Sequence, residues 1–479
     1  MGCLSMGNSD RAGALRGAET HFDDGHFKDT LSRRVAIPTT SAEKSSAPAM
    51  QRYMDDEIGP ALKAMGYEVE AYENPDPSGW PILLGTRIED TARPTLLTYG
   101  HGDVVVGLDD QWTDGLSPWT LAKDGERWYG RGTADNKGQH SIVMAGLEQV
   151  LEARGQHGFN SKILIDMGEE IGSPGLDIFV RDNPELLAAD VLVGSDGPRM
   201  VVERPDVKLG NRGALSFDLR VDLREGSRHS GHWGGVLTDP GIVLGHALAS
   251  ICDRKGRILV PGWTPQEIPA NVKSLLAECR VSPGNDFPEI DPGWGEPGLS
   301  REEKMFGWTS FIVLAFETGE PANPVNGVAP NAWARCQLRF TMDVDPNDFL
   351  PQLRQHLDAE GFPEVEVVAL EDDCFFPAHR TDPDHPAVDW ARRSIAETMG
   401  EAPLIVPNSA GGLPSRTFAD GLGNLPILWI PHSYTGCKQH GPNEHVLEPL
   451  MRDGLRIMTG LFWDLGELDG GFDGRAVSG

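Results

Sequence analysis

Thr95-Leu96-Leu97-Thr98-Tyr99-Gly100-His101-Gly102-Asp103 is the stretch that decides the fold. It begins as a short continuous apolar run, as expected for a strand covered on both faces, and it ends in an imidazole and a carboxylate. Two later runs, residues 162–166 and 191–193, have the same form and are also followed by carboxylates. Because open α/β sheets bind ligands at the carboxyl ends of their strands, we expect these polar side chains to lie together.

Helical segments alternate with these strands, most clearly at residues 139–154. This alternation predicts an α/β fold in which a mostly parallel sheet is covered by helices. From about Arg212 the apolar residues alternate instead, at 214–224 and within 328–344, which predicts an inserted α+β domain with an antiparallel sheet. The helix–strand alternation resumes at about residue 377.

We therefore predict a catalytic domain of residues 1–211 and 377–479, interrupted by a lid and dimerisation domain of residues 212–376. Residues 1–20 are expected to be disordered.

The composition excludes several classes of function. The chain has 479 residues and a formal charge of −30, which argues against nucleic acid or an anionic membrane as a partner. No apolar run reaches the length of about 18 residues needed to span a membrane. The six cysteines are scattered without a CxxC motif, which is typical of free thiols in a reducing compartment, and we predict a cytoplasmic location.

The polar residues after the strands form a set suited to divalent metals. Two imidazoles with three or more carboxylates can hold two ions of the zinc type, with one carboxylate bridging and another left free as a base. Zinc is the expected metal, although manganese or cobalt fits the same ligands. The candidates are His101, Asp135, Glu169, Glu170, Asp196 and His440.

Each of these residues alone has an ordinary structural explanation. A histidine near an aspartate is usually a buried hydrogen-bonded pair, and an aspartate in a glycine-rich turn is usually a turn residue. The spacing of His101 and Asp103 places both side chains on one side of an extended segment, so Asp103 can accept the second ring N–H and fix the tautomer. Glu169 and Glu170 point in different directions, so one can bind metal while the other accepts a proton from water.

The complete set resembles the M20 metallopeptidases, which include carnosine-type dipeptidases, aminoacylases and glutamate carboxypeptidases. The resemblance covers about residues 30–465. It is carried by His101-Gly102-Asp103, residues 130–138, Glu169-Glu170, Asp196, Arg212-Gly213, His229-Ser230-Gly231, Gly234-Gly235 and residues 440–444.

The resemblance implies a role for each matching residue. Asp135 would bridge two metals, His101 and Asp196 would complete one site, and Glu170 and His440 would complete the other. Glu169 would be the general base, with Asp103 orienting His101. His445 is a second candidate ligand, but the family pattern His-x-x-Asn-Glu selects His440.

The resemblance also implies a homodimer. His229 matches a histidine that reaches from the lid of one protomer into the partner's active site and stabilises the oxyanion; the nearby His232 is the local competitor. Arg339 matches an arginine that binds the substrate carboxylate, and the alternative is an ion pair on the strand surface. His379 and Gly412 match substrate-contacting positions.

One loop departs from the family pattern. Carnosine-type members carry Arg-Glu-Gly-Gly-Ser-Ile-Pro where this chain has Asn408-Ser409-Ala410-Gly411-Gly412-Leu413-Pro414, so Leu413 offers no hydroxyl to a carboxylate. The large lid favours the dipeptidase-like branch. We predict hydrolysis of an amide bond in a dipeptide or N-acyl amino acid, by a water that Glu169 activates. The alternatives are an amidohydrolase of N-carbamoyl amino acids or xenobiotic amides, and a non-catalytic binding protein.

Overall fold

The computed structural model of the chain describes residues 9–280, 289–370, 375–423 and 425–472. Its α-helices are α1 (Arg11–Asp23), α2 (His26–Val35), α3 (Ala47–Arg52), α4 (Gly59–Ala64), α5 (Lys137–Arg154), α6 (Leu176–Asp182), α7 (Pro184–Leu187), α8 (Ser230–Trp233), α9 (Pro240–Ile251), α10 (Ala270–Glu278), α11 (Arg301–Phe306), α12 (Phe349–Ala359), α13 (Pro386–Met399), α14 (Ser415–Gly421) and α15 (Glu448–Leu465).

Its strands are β1 (Glu68–Tyr72), β2 (Ile82–Arg87), β3 (Thr95–His101), β4 (Ala122–Asp124), β5 (Arg127–Tyr129), β6 (Asn160–Asp166), β7 (Val191–Gly194), β8 (Pro198–Arg199), β9 (Asp206–Lys208), β10 (Gly210–Asn211), β11 (Gly213–Asp222), β12 (Arg228–His229), β13 (Ser310–Thr318), β14 (Gly327–Val328), β15 (Asn331–Phe340), β16 (Glu366–Ala369), β17 (Phe375–Phe376), β18 (His379–Arg380), β19 (Leu404–Val406), β20 (Ile427–Trp429), β21 (Ser433–Tyr434) and β22 (His445–Leu447).

The main sheet has the strand order β1-β2-β6-β3-β7-β20-β9-β19. Its centre, from β6 to β20, is parallel. Successive residues of the central strands enter cores on opposite faces: Leu96 packs with α5 and α15, and Leu97 packs with α6 and α14. The predicted α/β fold, with a mostly parallel sheet covered by helices, is confirmed.

A second, antiparallel sheet lies in the inserted segment. Its order is β13-β15-β11-β16, with β17 also pairing with β11. One face packs against α9 and α12, where Phe217, Leu338 and Leu353 form part of a separate core. β13 is an edge strand of this sheet, and its apolar side chains are largely exposed.

The predicted disorder of residues 1–20 is wrong for its second half. Residues 1–8 lie outside the described part of the chain, but α1 begins at Arg11. Ala14, Ala18 and Phe22 recur at four-residue spacing and are buried against the main core. The apolar pattern of this segment is weak because several of its apolar residues are small alanines. The same alanines permit α1 to pack closely against α15. Within the described ranges, none of the helices combines the length and the apolar character needed to cross a lipid bilayer.

Candidate dinuclear metal site

Three neighbouring strands deliver the candidate ligands to one edge of the main sheet. His101 is the last residue of β3, Glu169 and Glu170 follow β6 in a short 3-10 turn, and Asp196 follows β7. Because β3 lies between β6 and β7, these side chains converge. Asp135 joins them from the turn between β5 and α5.

Two groups of candidate ligands share Asp135. They are His101, Asp135 and Asp196, and Asp135, Glu170 and His440; within each, one ligand atom per residue lies within 4.8 Å of the others. Nε2 of His101 is 2.9 Å from Oδ1 of Asp135, and Nε2 of His440 is 3.1 Å from Oδ2. Asp135 therefore presents one oxygen to each group, as a bridging carboxylate does.

The donor atoms fit divalent ions of the zinc type. Two ligands of a tetrahedral zinc ion lie about 3.3 Å apart, because each is about 2.0 Å from the metal, and the nitrogen–oxygen separations above come close to this. Oε1 of Glu170 is buried and has no hydrogen-bond partner within the described residues. A buried lone pair of this kind needs a partner, which a cation would provide. The individual ligand roles stay a prediction.

Several carboxylates lie close together in the site, and their mutual repulsion favours the binding of cations. Burial raises the pKa of Asp196 to about 6, and repulsion from Asp135 reinforces the shift. Burial likewise raises the pKa of Glu170 to about 7, although the hydrogen bond from His440 opposes it. Burial also acts to raise the pKa of Asp135, but hydrogen bonds from His101 and His440 outweigh it and hold that pKa well below its usual range. Bound divalent ions would relieve this repulsion.

Glu169 lies beside the two ligand groups but belongs to neither. Its Oε2 is 3.8 Å from Nε2 of His101. Burial raises the pKa of Glu169 well above its usual range; the charge of His101 opposes this shift, and Asp196 and Asp135 reinforce it. A carboxylate with a raised pKa is a stronger base, so Glu169 is suited to accept a proton.

Asp103 connects the two ligand-bearing loops and is completely buried. Its Oδ1 accepts a hydrogen bond from Nδ1 of His101 at 3.1 Å and from the amide of Glu169 at 3.1 Å. Its Oδ2 accepts from the amide of Glu170 at 3.0 Å. A proton on Nδ1 leaves Nε2 of His101 with a lone pair that faces the cluster.

Glu444 and Arg131 form a supporting pair that sequence analysis missed. Both side chains are buried, and Nη1 of Arg131 donates to Oε2 of Glu444 at 2.7 Å. The same carboxylate accepts hydrogen bonds from the amides of Gly132, Ala134 and Asp135. It therefore holds the turn that carries Asp135. In the sequence, this ion pair is indicated only by the presence of one charged residue in each of two site motifs. The two residues are 313 positions apart.

A cavity of about 560 Å³ opens beside the ligand groups. Asp135, Glu169, Asp196 and His440 line one side of it, and the predicted substrate residue Gly412 lines another. The remaining lining is mostly apolar and includes Met305 and Phe306 of the inserted segment.

The structure does not place every predicted residue in this cavity. His229 is exposed on β12, its ring centroid 4.6 Å from that of His232, and neither lines the cavity. Arg339 and His379, on β15 and β18, do not line it either. His445 belongs to neither ligand group, and its Nε2 pairs with the hydroxyl of Tyr434.

Comparisons with known proteins show the family to which the chain belongs. The cysteinylglycine-S-conjugate dipeptidase of Corynebacterium striatum is 27% identical over 74% of this chain and 76% of its own. The human Beta-Ala-His dipeptidase is 30% identical over 92% of this chain and 86% of its own. The fold is shared with an M20 family metallo-carboxypeptidase of Sulfolobus solfataricus, at a TM-score of 0.74 and 22% identity over 92% of this chain and 99% of that one. The model of peptidase family M20/M25/M40 matches residues 97–464. The chain belongs to peptidase family M20/M25/M40.

Proposed function

We propose that this protein is a zinc-dependent hydrolase that cleaves the amide bond of dipeptides or N-acyl amino acids. The observation that carries the proposal is the position of Glu169 beside two ligand groups that share Asp135. Two of the relatives named above are dipeptidases, which supports an amide substrate of this size. The alternative of an N-carbamoyl or xenobiotic amide has no such support.

In this proposal His101 and Asp196 would help to hold one zinc ion, Glu170 and His440 would help to hold the other, and Asp135 would contribute to both. Bound divalent ions supply Lewis acidity and make nearby water more acidic. Manganese and cobalt would fit the same oxygen and nitrogen donors.

Glu169 acts as the proton carrier. It accepts a proton from the water that attacks the carbonyl carbon of the substrate, and it returns this proton to the leaving nitrogen when the amide bond breaks. Asp103 fixes His101 and the backbone of Glu169 through the hydrogen bonds described above. His229 of the partner subunit donates to the oxyanion that forms on the carbonyl.

An exposed sheet edge supports the homodimer. Ile312, Leu314 and Phe316 of β13 are each at least 44% exposed, and Ile242 on the neighbouring α9 is 63% exposed. An apolar edge strand with free backbone groups readily pairs with a second strand. A second copy of the chain would cover this surface and would bring an exposed His229 to the other protomer's cavity.

Two arginines support a carboxylate on the amine half of the substrate. The Nε of Arg212 is buried without a hydrogen-bond partner in the described part of the chain. Burial and the charge of the nearby Arg339 lower the pKa of Arg212 to about 10. An anion bound to both guanidinium groups would relieve this repulsion. His379 and Gly412 would border the same end of the substrate.

The cysteines support a reducing compartment. Cys252, Cys279, Cys336 and Cys437 are free, and three of them are buried. The proposed location is the cytoplasm.

Hydrolysis of a panel of dipeptides and N-acyl amino acids by zinc-loaded protein tests this function. Chelated protein and Glu169→Gln are the two controls, and exposed Glu185→Gln is the matched variant that should keep full activity. Cleavage that disappears in both controls supports the proposal. Cleavage that survives in Glu169→Gln would refute the role of this base.

A further inference from the structure

The two ligand groups differ in how firmly the chain holds them. In the group of His101, Asp135 and Asp196 every residue is buried, whereas 59% of the His440 side chain in the other group is exposed. We propose that Gln439 is a positioning residue that holds His440 against Asp135 and thereby sets the affinity of the second ligand group for its ion. The inference rests on the proposed dinuclear site and adds a residue that no motif in the sequence singles out.

A tight turn brings His440 to the second ligand group. The amide of Gly441 donates to the carbonyl oxygen of Lys438 at 3.0 Å, so Gln439 and His440 are the two central residues of the turn. The backbone φ is 57° at Lys438 and 60° at His440, in the left-handed region that is uncommon for residues with a β-carbon. Such a strained backbone persists only where surrounding contacts enforce it. The position of His440 therefore depends on contacts between this turn and the rest of the site.

Gln439 supplies one of these contacts. Its Nε2 donates to Oδ2 of Asp135 at 3.3 Å, and Nε2 of His440 is 3.1 Å from the same oxygen. An ionised carboxylate only accepts hydrogen bonds, so the amide group of Gln439 presents its nitrogen here. Two neighbouring residues of the turn are thus joined to one oxygen, and the turn cannot move away from Asp135 without breaking both contacts.

The contact from Gln439 is compatible with a bound ion. A carboxylate oxygen has two lone pairs, so Oδ2 of Asp135 can bind a metal ion with one and accept from Gln439 with the other. Hydrogen bonds of this kind orient the carboxylates that bind metals. His440 would direct the lone pair of its Nε2 to the ion. Of the two contacts at this oxygen, the one from Gln439 would therefore be the one that remains a hydrogen bond.

The first ligand group is held by other parts of the chain. His101 is the last residue of β3 and Asp196 lies two residues after β7, so strands of the main sheet carry both. The backbone of Asp135, which both groups share, is held by Glu444 through its amide. Loss of the contact from Gln439 should therefore weaken the second ligand group much more than the first.

Titration of zinc into chelator-stripped protein tests the inference. Competition with a chromophoric chelator of known affinity gives two successive dissociation constants for the wild type. Gln439→Leu keeps the size of the side chain and removes its amide, and it should raise the second constant about tenfold or more while the first changes less than about twofold. The matched control is Gln51→Leu on α3, which removes an exposed hydrogen bond from a glutamine to Asp55 and should leave both constants unchanged.

A double variant assigns the effect to the second ligand group. His440→Ala lacks the exposed ligand and should bind one ion tightly. Addition of Gln439→Leu to this variant should leave the affinity for that ion unchanged, because the proposed role of Gln439 is exerted through His440 and its contact with Asp135. A further weakening in the double variant would show that Gln439 acts on the first group as well.

Cobalt provides a spectroscopic readout that a general loss of stability would not alter. Co²⁺ fits the same donors, and its visible absorption depends on its coordination. The first equivalent should give the same spectrum in wild type and Gln439→Leu, and the second equivalent should give a different one. Thermal unfolding of the stripped proteins establishes that the variants are folded.

The possible outcomes separate the inference from the site on which it rests. Two ions bound by wild type, with constants that Gln439→Leu leaves unchanged or weakens equally, would overturn the role of Gln439 and leave the dinuclear site intact. Binding of a single ion by wild type would contradict the dinuclear site itself, and the inference would fall with it.

Discussion

The buried carboxylate of Glu444 accepts a hydrogen bond from the backbone amide of Asp135 at 3.1 Å. The orientation of the residue shared by both ligand groups thus depends on a carboxylate that belongs to neither. Glu444 in turn is neutralised by Arg131, so one ion pair supports the centre of the site.

We expect Glu444→Ala to lower the free energy of unfolding by about 3–5 kcal/mol, because Arg131 would keep a buried charge without its partner. Urea unfolding of wild type and variant measures this difference. The matched control is Glu448→Ala, which removes the partly exposed ion pair with Lys123 and should cost no more than about 1 kcal/mol. Equal losses in both variants would contradict the supporting role of Glu444.

Asp103→Asn should weaken metal binding by about 10–100-fold. The amide nitrogen of an asparagine would face one of the three N–H donors that Asp103 now accepts, and His101 would lose its fixed tautomer. Competition with a chelator of known affinity measures the effect. Asp110→Asn, at an exposed position, should bind metal as wild type does, and a normal affinity of Asp103→Asn would exclude the orienting role.

Acid should destabilise the protein partly through His157. Burial lowers the pKa of His157 to about 4, partly opposed by Glu89, whereas an unfolded histidine titrates at about 6.5. The unfolded state therefore binds the proton more readily. This contribution to stability is complete above about pH 6.5 and is lost as the pH falls towards 4, by at most about 3 kcal/mol.

His157→Phe should remove that component of the pH dependence. The difference in unfolding free energy between wild type and variant, measured from pH 7.5 to 4, isolates it from all other titrating groups. Exposed His246→Gln should keep the wild-type slope. A slope that His157→Phe leaves unaltered would show that this ring does not carry the effect.

Leu314→Arg should convert the proposed dimer into a monomer, because it places a charge in the apolar edge of β13. Analytical ultracentrifugation measures the mass. The control is Ile88→Arg. Ile88 is 53% exposed and directly follows β2 of the main sheet, so this variant should remain a dimer. A monomeric wild type would refute the dimer outright.

Mixed dimers test whether His229 acts across the interface. A Glu169→Gln protomer and a His229→Gln protomer are each expected to be inactive alone. In random mixtures half of the dimers are mixed, and each mixed dimer has one site with both residues, so about a quarter of the wild-type activity should return. No recovery would place His229 in the site of its own protomer.

The strands that carry the site could be predicted closely because local patterns define them. Residues 162–166 and 191–193 were predicted as strands, and β6 and β7 span Asn160–Asp166 and Val191–Gly194. Each is an apolar run flanked by polar or glycine residues, which leaves few alternatives. β13 was not predicted, since its apolar residues are continuous and mostly exposed, so the alternation of a half-buried strand is absent.

Contacts between segments that are distant in the chain could not be predicted from the sequence. Glu444 and Arg131 are 313 positions apart, and nothing in either motif indicates that one neutralises the other. A lysine in a strand usually lies at the surface. Lys208 is buried instead, because β19 and β20 pair with β9 on its two sides. His101, Glu170 and Asp196 could be singled out as candidate ligands because their chemistry and their positions at or just after strands agreed; their roles stay a prediction.

The strand order also fixes when the site can form during synthesis. β9 joins the main sheet only through β20, and His440 completes the second ligand group. A nascent chain that leaves the ribosome amino end first has therefore released the whole inserted segment before residues 427–429 can bridge β7 and β9. Until then the sheet ends at β7, which is an open edge, and of the five candidate ligands only His440 is still missing. The second ligand group is thus completed later in synthesis than the first, whose three residues all precede the inserted segment.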